Sequence, residues 1–121
     1  FFQERTAWLE TNGVSRQRLI IDPGIGFGKT VQHNLSILKH LSELTALELP
    51  VLLGHSRKRF LGELSGLAAQ DRDSLTAVVS ALSVRTGVAI VRVHNVAASR
   101  LAIRMPVGRS GSWLMPACST S

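Results

Sequence analysis

The sequence of 121 residues has one cysteine, no tyrosine and an aromatic content of only 5%. The single cysteine, Cys118, excludes a disulfide framework and a zinc site built from cysteines. The scarcity of aromatic side chains argues against a stacking platform for bases, so we expect no nucleic-acid partner. No apolar run approaches the ~20 residues that cross a bilayer, so we expect neither a transmembrane helix nor a membrane partner.

The sequence also lacks the pattern of a signal peptide and has few clusters of charged residues. Residues 1–5 lack the basic start and apolar stretch of a signal peptide, which together with the single cysteine favours the cytoplasm. They also lack an initiator methionine, so we expect the chain to begin inside a longer protein. The net charge is +6, and no carboxylate side chain follows Asp73. The one basic cluster is Arg57-Lys58-Arg59, a pattern that suits an anionic small molecule.

Apolar residues are distributed as in alternating helices and strands, which predicts an α/β fold with a parallel sheet. Asp73 is expected to cap the third helix. Beyond residue 105 the periodicity stops, so 1–105 is predicted as the folded domain and 106–121 as an irregular, mobile tail. The predicted helices are 2–11, 34–44, 74–86 and 97–105, the predicted strands are 19–21, 50–54 and 88–91, and 62–69 is predicted as a loop.

Polar side chains follow each predicted strand at its carboxyl end. They are Asp22 after the first strand, 56–58 (Ser-Arg-Lys) after the second, and Arg92 and His94 on the third. Because the carboxyl ends of parallel strands share one edge, we expect these groups to surround one site. Strand alternation should place Arg92 and His94 on one face and Val91 and Val93 on the other. The expected ligand has a donor-rich edge for the carboxylate and an anionic group for the cations.

Other polar residues have simpler interpretations. We expect His33, His40 and His55 to be structural, and Arg57 and Arg59 to be solvated or to face phosphate. No pair of histidines has metal-ligand spacing beside a carboxylate, so no metal site built by this chain is predicted.

The glycine-rich loop at 24–28 fits no nucleotide-binding fingerprint. Gly28-Lys29-Thr30 has the ending of a P-loop, but Pro23 stands where its first glycine is needed. The alternation G-x-G-x-G also departs from the dinucleotide pattern. The loop is better explained by close approach of the backbone to a flat ligand beside Asp22.

Three segments are distinctive in their order and spacing: 22–29 (DPGIGFGK), 54–62 (GHSRKRFLG) and 91–96 (VRVHNV). Together they resemble dihydropteroate synthase, the sulfonamide target of folate biosynthesis. The resemblance implies that 1–105 is the C-terminal portion of a TIM (β/α)8 barrel, comprising strands six to eight with flanking helices. A whole TIM barrel takes about 250 residues, so the barrel is incomplete. We therefore expect the isolated chain to be poorly folded, self-associated or inactive.

The resemblance also implies a transferase. Such enzymes join 4-aminobenzoate, for which sulfonamides compete, to 6-hydroxymethyl-7,8-dihydropterin diphosphate, releasing diphosphate and forming dihydropteroate. Mg²⁺ is the implied cofactor, with its protein ligand in the absent N-terminal part, and the complete protein is expected to be a homodimer. Asn95 stands where the family usually has Asp.

Residue roles follow from the same resemblance. The implied catalytic residues are Asp22, Lys58, Arg92 and His94. Asp22 would accept hydrogen bonds from the pterin edge, and Lys58 would donate to the pterin and pack along the aminobenzoate. Arg92 and His94 would bind the departing diphosphate. Phe27 and Gly54 would line the pterin slot, and Ser56 would hold the aminobenzoate carboxylate.

Three alternatives stay open beside this interpretation. The chain could be a non-catalytic remnant that binds pterin. It could be another pterin-binding barrel, such as a folate-dependent methyltransferase domain, although Arg92 and His94 would then have no diphosphate to bind. A P-loop nucleotide-binding protein is the least favoured, because the glycine spacing before Lys29 does not match that motif.

Overall fold

The computed structural model describes residues 1–105. The predicted tail at 106–121 lies outside the described residues, so it stays a prediction. Helices and short strands alternate along the chain, as the apolar pattern predicts. The helices are α1 (Phe2–Thr11), α2 (Val31–Lys39), α3 (Leu41–Thr45), α4 (Arg59–Ser65), α5 (Asp73–Arg85) and α6 (Val96–Ile103), the strands are β1 (Leu52–Leu53) and β2 (Ile90–Val91), and 3-10 turns occupy Arg16–Arg18 and Ala69–Asp71.

The sheet is parallel and its strands are short. Strand β1 pairs with β2, with Leu52 opposite Ile90, and an isolated parallel bridge joins Ile21 to Val51. The predicted strand at 19–21 is thus reduced to this one bridge, where the Leu52 amide donates to the carbonyl of Ile21 at 2.8 Å. The three segments run in one direction, so the residues that follow them emerge at one edge.

The core lies between the sheet and the helices that flank it. Helices α5 and α6 pack together through small polar residues, and the Ser80 hydroxyl lies 3.3 Å from that of Ser99. Small side chains let the two helices approach closely and leave room for His55 beneath them. The buried apolar cluster consists of Ile21, Ile25, Leu41, Leu49, Val51, Leu53, Phe60, Leu61 and Val88.

The helix predicted at 34–44 is two helices in the structure, and the first of them starts earlier than predicted. It begins at Val31, because the Thr30 side chain accepts a hydrogen bond from the amide of His33 and caps the first turn. It ends at Lys39, and α3 follows after His40, whose backbone leaves the helical region. The leucine spacing therefore spans two helices, with Leu41 buried in the second.

Two further predictions are wrong. The segment predicted as a loop at 62–69 contains the last turn of α4, which ends with Gly66 in a left-handed conformation. No helix was predicted at α4. Gly62 fits within it because the guanidinium of Arg72 packs there and fills the space that a side chain would take. Asp73 is the first residue of α5 and caps nothing, since its carboxylate is paired with Arg57.

None of the helices within 1–105 has the length and apolar character that crossing a bilayer requires.

Candidate functional site at the carboxyl edge of the sheet

The glycine-rich loop folds tightly beside Asp22. One oxygen of the Asp22 carboxylate accepts a hydrogen bond from the amide of Gly24 at 2.9 Å, which starts the turn. The amide of Gly26 donates to the side chain of Asn34 at 2.8 Å, and Asn34 is itself buried in α2. Lys29 donates to the carbonyl of Gly24, so the lysine closes its own loop. This geometry accounts for Lys29 without a nucleotide phosphate.

Gly26 brings this loop against the second strand-end loop. Its φ is +80°, and a Cβ atom there would lie 2.8 Å from Cδ of Lys58. Only glycine therefore lets the Lys58 stem pass at this distance. Beyond that contact, Nζ of Lys58 lies 3.8 Å from the centroid of the Phe27 ring, in cation–π geometry. Phe27 is 62% exposed, so the ring and the ammonium form an open wall of the site.

Asp22 and Arg92 meet across the sheet edge. Nη2 of Arg92 lies 3.8 Å from Oδ2 of Asp22, and both side chains are partly exposed. The guanidinium also packs over Gly54, where a Cβ atom would come within 2.5 Å of Nη2. Gly54, which directly follows β1, is buried and has no side chain, so Arg92 has room to reach Asp22.

Ser56 and His94 form a second link across the same edge. The Ser56 hydroxyl lies 2.8 Å from Nδ1 of His94 and accepts the backbone N–H of His94 at 3.1 Å. Ser56 is buried, so this double contact holds the imidazole in one orientation.

Ser56, Lys58, Arg92 and His94 line one open cavity of about 350 Å³, and Asp22 stands beside it through its contact with Arg92. The edge thus combines a carboxylate with two cations and an imidazole around a concave surface, as the strand-end pattern predicts. The predicted alternation is wrong at Val93, because the ladder ends at Val91 and Val93 lines the cavity too. The cavity is lined by Gly54, Ser56, Lys58, Arg92, Val93 and His94.

Arg57 is part of the support of the site, and the prediction that it is solvated or faces phosphate is wrong. Its guanidinium binds Asp73 through two hydrogen bonds of 2.7 and 3.0 Å. This contact with Arg57 holds the pKa of Asp73 below its ordinary value, and a hydrogen bond from Asn95 acts in the same direction. Arg59, in contrast, is exposed and pairs with Glu63 along α4.

His55 is structural, as predicted. Its Nε2 contacts the carbonyl oxygen of Thr76 and the hydroxyl of Ser80, each at 3.0 Å, beneath α5. Burial lowers the pKa of its imidazole below the ordinary 6.5, although the Thr76 carbonyl offsets part of this effect.

Three contributors to the site were not predicted from the sequence: Asn34, Asp73 as a partner of Arg57, and Asn95 as a partner of Asp73. Asn34 was hidden in a helical pattern. For Asp73 the sequence suggested capping alone, and Asn95 was noted only as a departure from the family's usual Asp.

The described residues offer few ligands for a metal ion. Within 1–105, histidine, aspartate, glutamate and cysteine side chains nowhere gather in groups of three or more. Among the described residues, the carboxylate beside the cavity is that of Asp22, which already accepts a backbone hydrogen bond and faces Arg92. This part of the chain therefore does not fit a protein-built cage for Mg²⁺.

Comparison with known proteins places this site in a family. The pterin binding enzyme family matches residues 1–94, which is most of the chain. The chain belongs to the pterin-binding enzymes. Within that family, the relatives it matches are dihydropteroate synthases, and the resemblance read from the three segments is confirmed.

The similarity extends over sequence and fold. The chain is 48% identical over 110 residues to dihydropteroate synthase of Mycobacterium leprae, a match that takes in 84% of this chain and 37% of the relative. It is 36% identical over 105 residues to the Escherichia coli K12 enzyme, with 87% and 37% covered. The structure of the Xanthomonas albilineans enzyme in complex with 7,8-dihydropteroate matches with a TM-score of 0.82 and 41% identity, covering 85% of this chain and 41% of that one.

The match covers only part of each relative and of its fold. The chain spans about two fifths of the length of these relatives. The structural neighbours are dihydropteroate synthases, which have the TIM-barrel fold, and the described residues form a partial α/β unit of that kind.

Proposed function

We propose that this chain supplies the C-terminal part of a dihydropteroate synthase active site, acting in folate biosynthesis in the cytoplasm. The observation that carries the proposal is the meeting of Asp22 with Arg92 at the mouth of a cavity that also holds Lys58 and His94. A carboxylate beside several cations suits a substrate with a donor-rich ring and an anionic leaving group. Solved relatives that carry 7,8-dihydropteroate and a pterin–sulfa conjugate support pterin and sulfonamide binding.

In the proposed reaction, the bond between the pterin methylene carbon and the diphosphate oxygen breaks first. The electron pair leaves with diphosphate, and the methylene carbon becomes cationic. The amine nitrogen of 4-aminobenzoate then forms the new C–N bond and loses a proton. Asp22 accepts hydrogen bonds from the pterin, and its negative charge stabilises the developing cation.

The other side chains divide between the two substrates. Arg92 and His94 bind the diphosphate as negative charge accumulates on it. Lys58 donates to the pterin, and its stem packs along the aminobenzoate. Phe27 and Gly54 line the pterin slot. Ser56 lies beside the aminobenzoate carboxylate and contacts His94, so it lies between the two binding regions.

Three parts of the proposal concern the whole enzyme. We assign the segments at Ile21, β1 and β2 to barrel strands six, seven and eight, and we expect the complete protein to pair as a homodimer. We also expect that Mg²⁺ bound by the complete enzyme takes its protein ligand from the part of the barrel that this chain does not contain. No step derived above passes through the ion.

Ligand titration by calorimetry tests the proposal. We expect the chain to bind 6-hydroxymethyl-7,8-dihydropterin diphosphate and Asp22→Asn to weaken that binding at least tenfold. The matched control is Asp71→Asn, an exposed aspartate that does not line the cavity. Stronger binding of methyl-tetrahydrofolate than of the pterin diphosphate would instead favour the methyltransferase alternative. If the chain binds pterin but catalyses no reaction even when the barrel is completed, the non-catalytic remnant would be favoured.

A further inference from the structure

Five residues close a ring of contacts behind the cavity, which we call the Asp73 ring. Ser56 and His94 are linked by the hydroxyl–imidazole contact of 2.8 Å. The residue that follows each of them, Arg57 and Asn95, reaches the same carboxylate. Arg57 binds Asp73 at 2.7 and 3.0 Å, and the amide of Asn95 donates to Oδ2 of Asp73 at 3.3 Å. The ring therefore couples both loops that line the cavity.

The Arg57 side of the ring is held at every polar group. Arg57 has a φ of +57°, a left-handed conformation that is uncommon for a residue other than glycine. Its amide donates to the Thr76 hydroxyl at 3.2 Å, and its carbonyl accepts from the guanidinium of Arg72 at 2.9 Å. With the side chain bound to Asp73, the unusual turn between Ser56 and Lys58 is fixed by its surroundings.

The Asn95 side depends on both ends of one amide. Its oxygen accepts from the amide of Ala98 at 3.0 Å and caps α6, while its NH₂ group donates to Asp73. A serine at position 95 could still cap the helix, because its hydroxyl oxygen can accept from the same amide. It would, however, be too short to donate to Asp73. The two ends can therefore be tested separately.

We propose that Asp73 and Asn95 are positioning residues that hold the His94 imidazole in a single tautomer and orientation for binding the diphosphate group of the substrate. The inference rests on the proposed function, because it assigns a task to His94. It goes beyond that function in naming two residues outside the cavity lining. Neither residue contacts the ligand in this proposal, since both act through the Ser56–His94 contact.

Nitrogen-15 NMR of the His94 ring tests the positioning step without any substrate. In the unaltered chain we expect a single tautomer. Asn95→Ser should mix the tautomers, because serine can still cap α6 but is too short to donate to Asp73. Asp73→Ala should mix them as well, because it removes the acceptor that Arg57 and Asn95 share. Glu63→Gln is the matched control, since it removes a carboxylate from another arginine pair, that with Arg59.

Titration with inorganic diphosphate supplies the second readout. We expect binding to weaken at least fivefold in Asn95→Ser and in Asp73→Ala, with no change in Glu63→Gln. A purely structural ring would lower thermal stability but leave the tautomer of His94 unchanged. That result, or mixed tautomers in the unaltered chain, overturns the inference. A single tautomer in a chain that does not bind diphosphate counts against the proposed function and leaves the positioning inference supported.

Discussion

Asp22 and Arg92 lie 70 residues apart in the sequence, yet Oδ2 of the carboxylate and Nη2 of the guanidinium approach to 3.8 Å. The parallel pairing of Ile21 with Val51, and of β1 with β2, brings the two strand ends to one edge. At this distance and exposure the ion pair is weak, so it contributes little to the stability of the fold. The arrangement is better explained by a ligand that contacts both groups.

Replacement of Arg92 by lysine should separate charge from geometry. The lysine keeps the charge but loses the planar fork that can face Asp22 and an anion together. We expect Arg92→Lys to weaken diphosphate binding about tenfold, or about 1.4 kcal/mol. Calorimetric titration measures this, with Arg100→Lys on α6 as the control. Equal binding by the two variants would show that only charge matters.

Lys58 and Phe27 should be energetically coupled. Their cation–π contact has an ammonium-to-centroid distance of 3.8 Å, whereas Arg5 lies 5.8 Å from the ring of Phe1. A double-mutant cycle with Phe27→Leu and Lys58→Met should give a coupling of about 0.5–1 kcal/mol in the free energy of unfolding. The same cycle at Phe1 and Arg5 should give less. A coupling of zero at Lys58 would contradict the observed contact.

Gly54→Ala should impair ligand binding more than folding. The new methyl group would meet the end of the flexible Arg92 side chain, which can move aside. We therefore expect a change in unfolding free energy of about 0.5 kcal/mol or less, with diphosphate binding at least threefold weaker. In an Arg92→Ala background the same substitution should have almost no effect on binding. A large loss of stability would show instead that the backbone at Gly54 cannot accept a side chain.

His55 should make stability depend on pH. The fold favours the neutral imidazole, so its pKa in the folded chain lies below the 6.5 expected of the unfolded chain. The unfolded state then binds more protons as the pH falls, and stability that is complete above 6.5 is lost below it. The slope from this group is at most about 1.4 kcal/mol per pH unit. Denaturation at pH 5 to 8 should show the slope in the unaltered chain and in His33→Gln, and not in His55→Gln.

Much of the site is predictable because its residues stand at the ends of short apolar runs. Asp22, Ser56 and Arg92 each follow such a run, and parallel pairing makes positions at strand ends neighbours in space. The sequence alone therefore predicts which groups gather at the cavity. Their roles toward a substrate come from the family resemblance and stay predictions.

The supporting contacts are not predictable in the same way. Asp73 stands at a helix start, where capping is the usual role of aspartate, and only the left-handed turn at Arg57 brings the guanidinium to it. The whole of α4 was missed for a related reason. A glycine normally weakens a helix, but at Gly62 the missing side chain leaves space for Arg72, which packs there from 10 residues further along the chain.

Release of diphosphate from the pterin diphosphate and 4-aminobenzoate tests the central claim most directly. It should be measured for the chain alone and for the chain joined behind the N-terminal barrel part of the Mycobacterium leprae relative. We predict no turnover by the chain alone, turnover by the joined protein, and its loss on Asp22→Asn. Turnover by the chain alone would contradict the need for a complete barrel. A folded joined protein without turnover would contradict the assignment of this site to dihydropteroate synthesis.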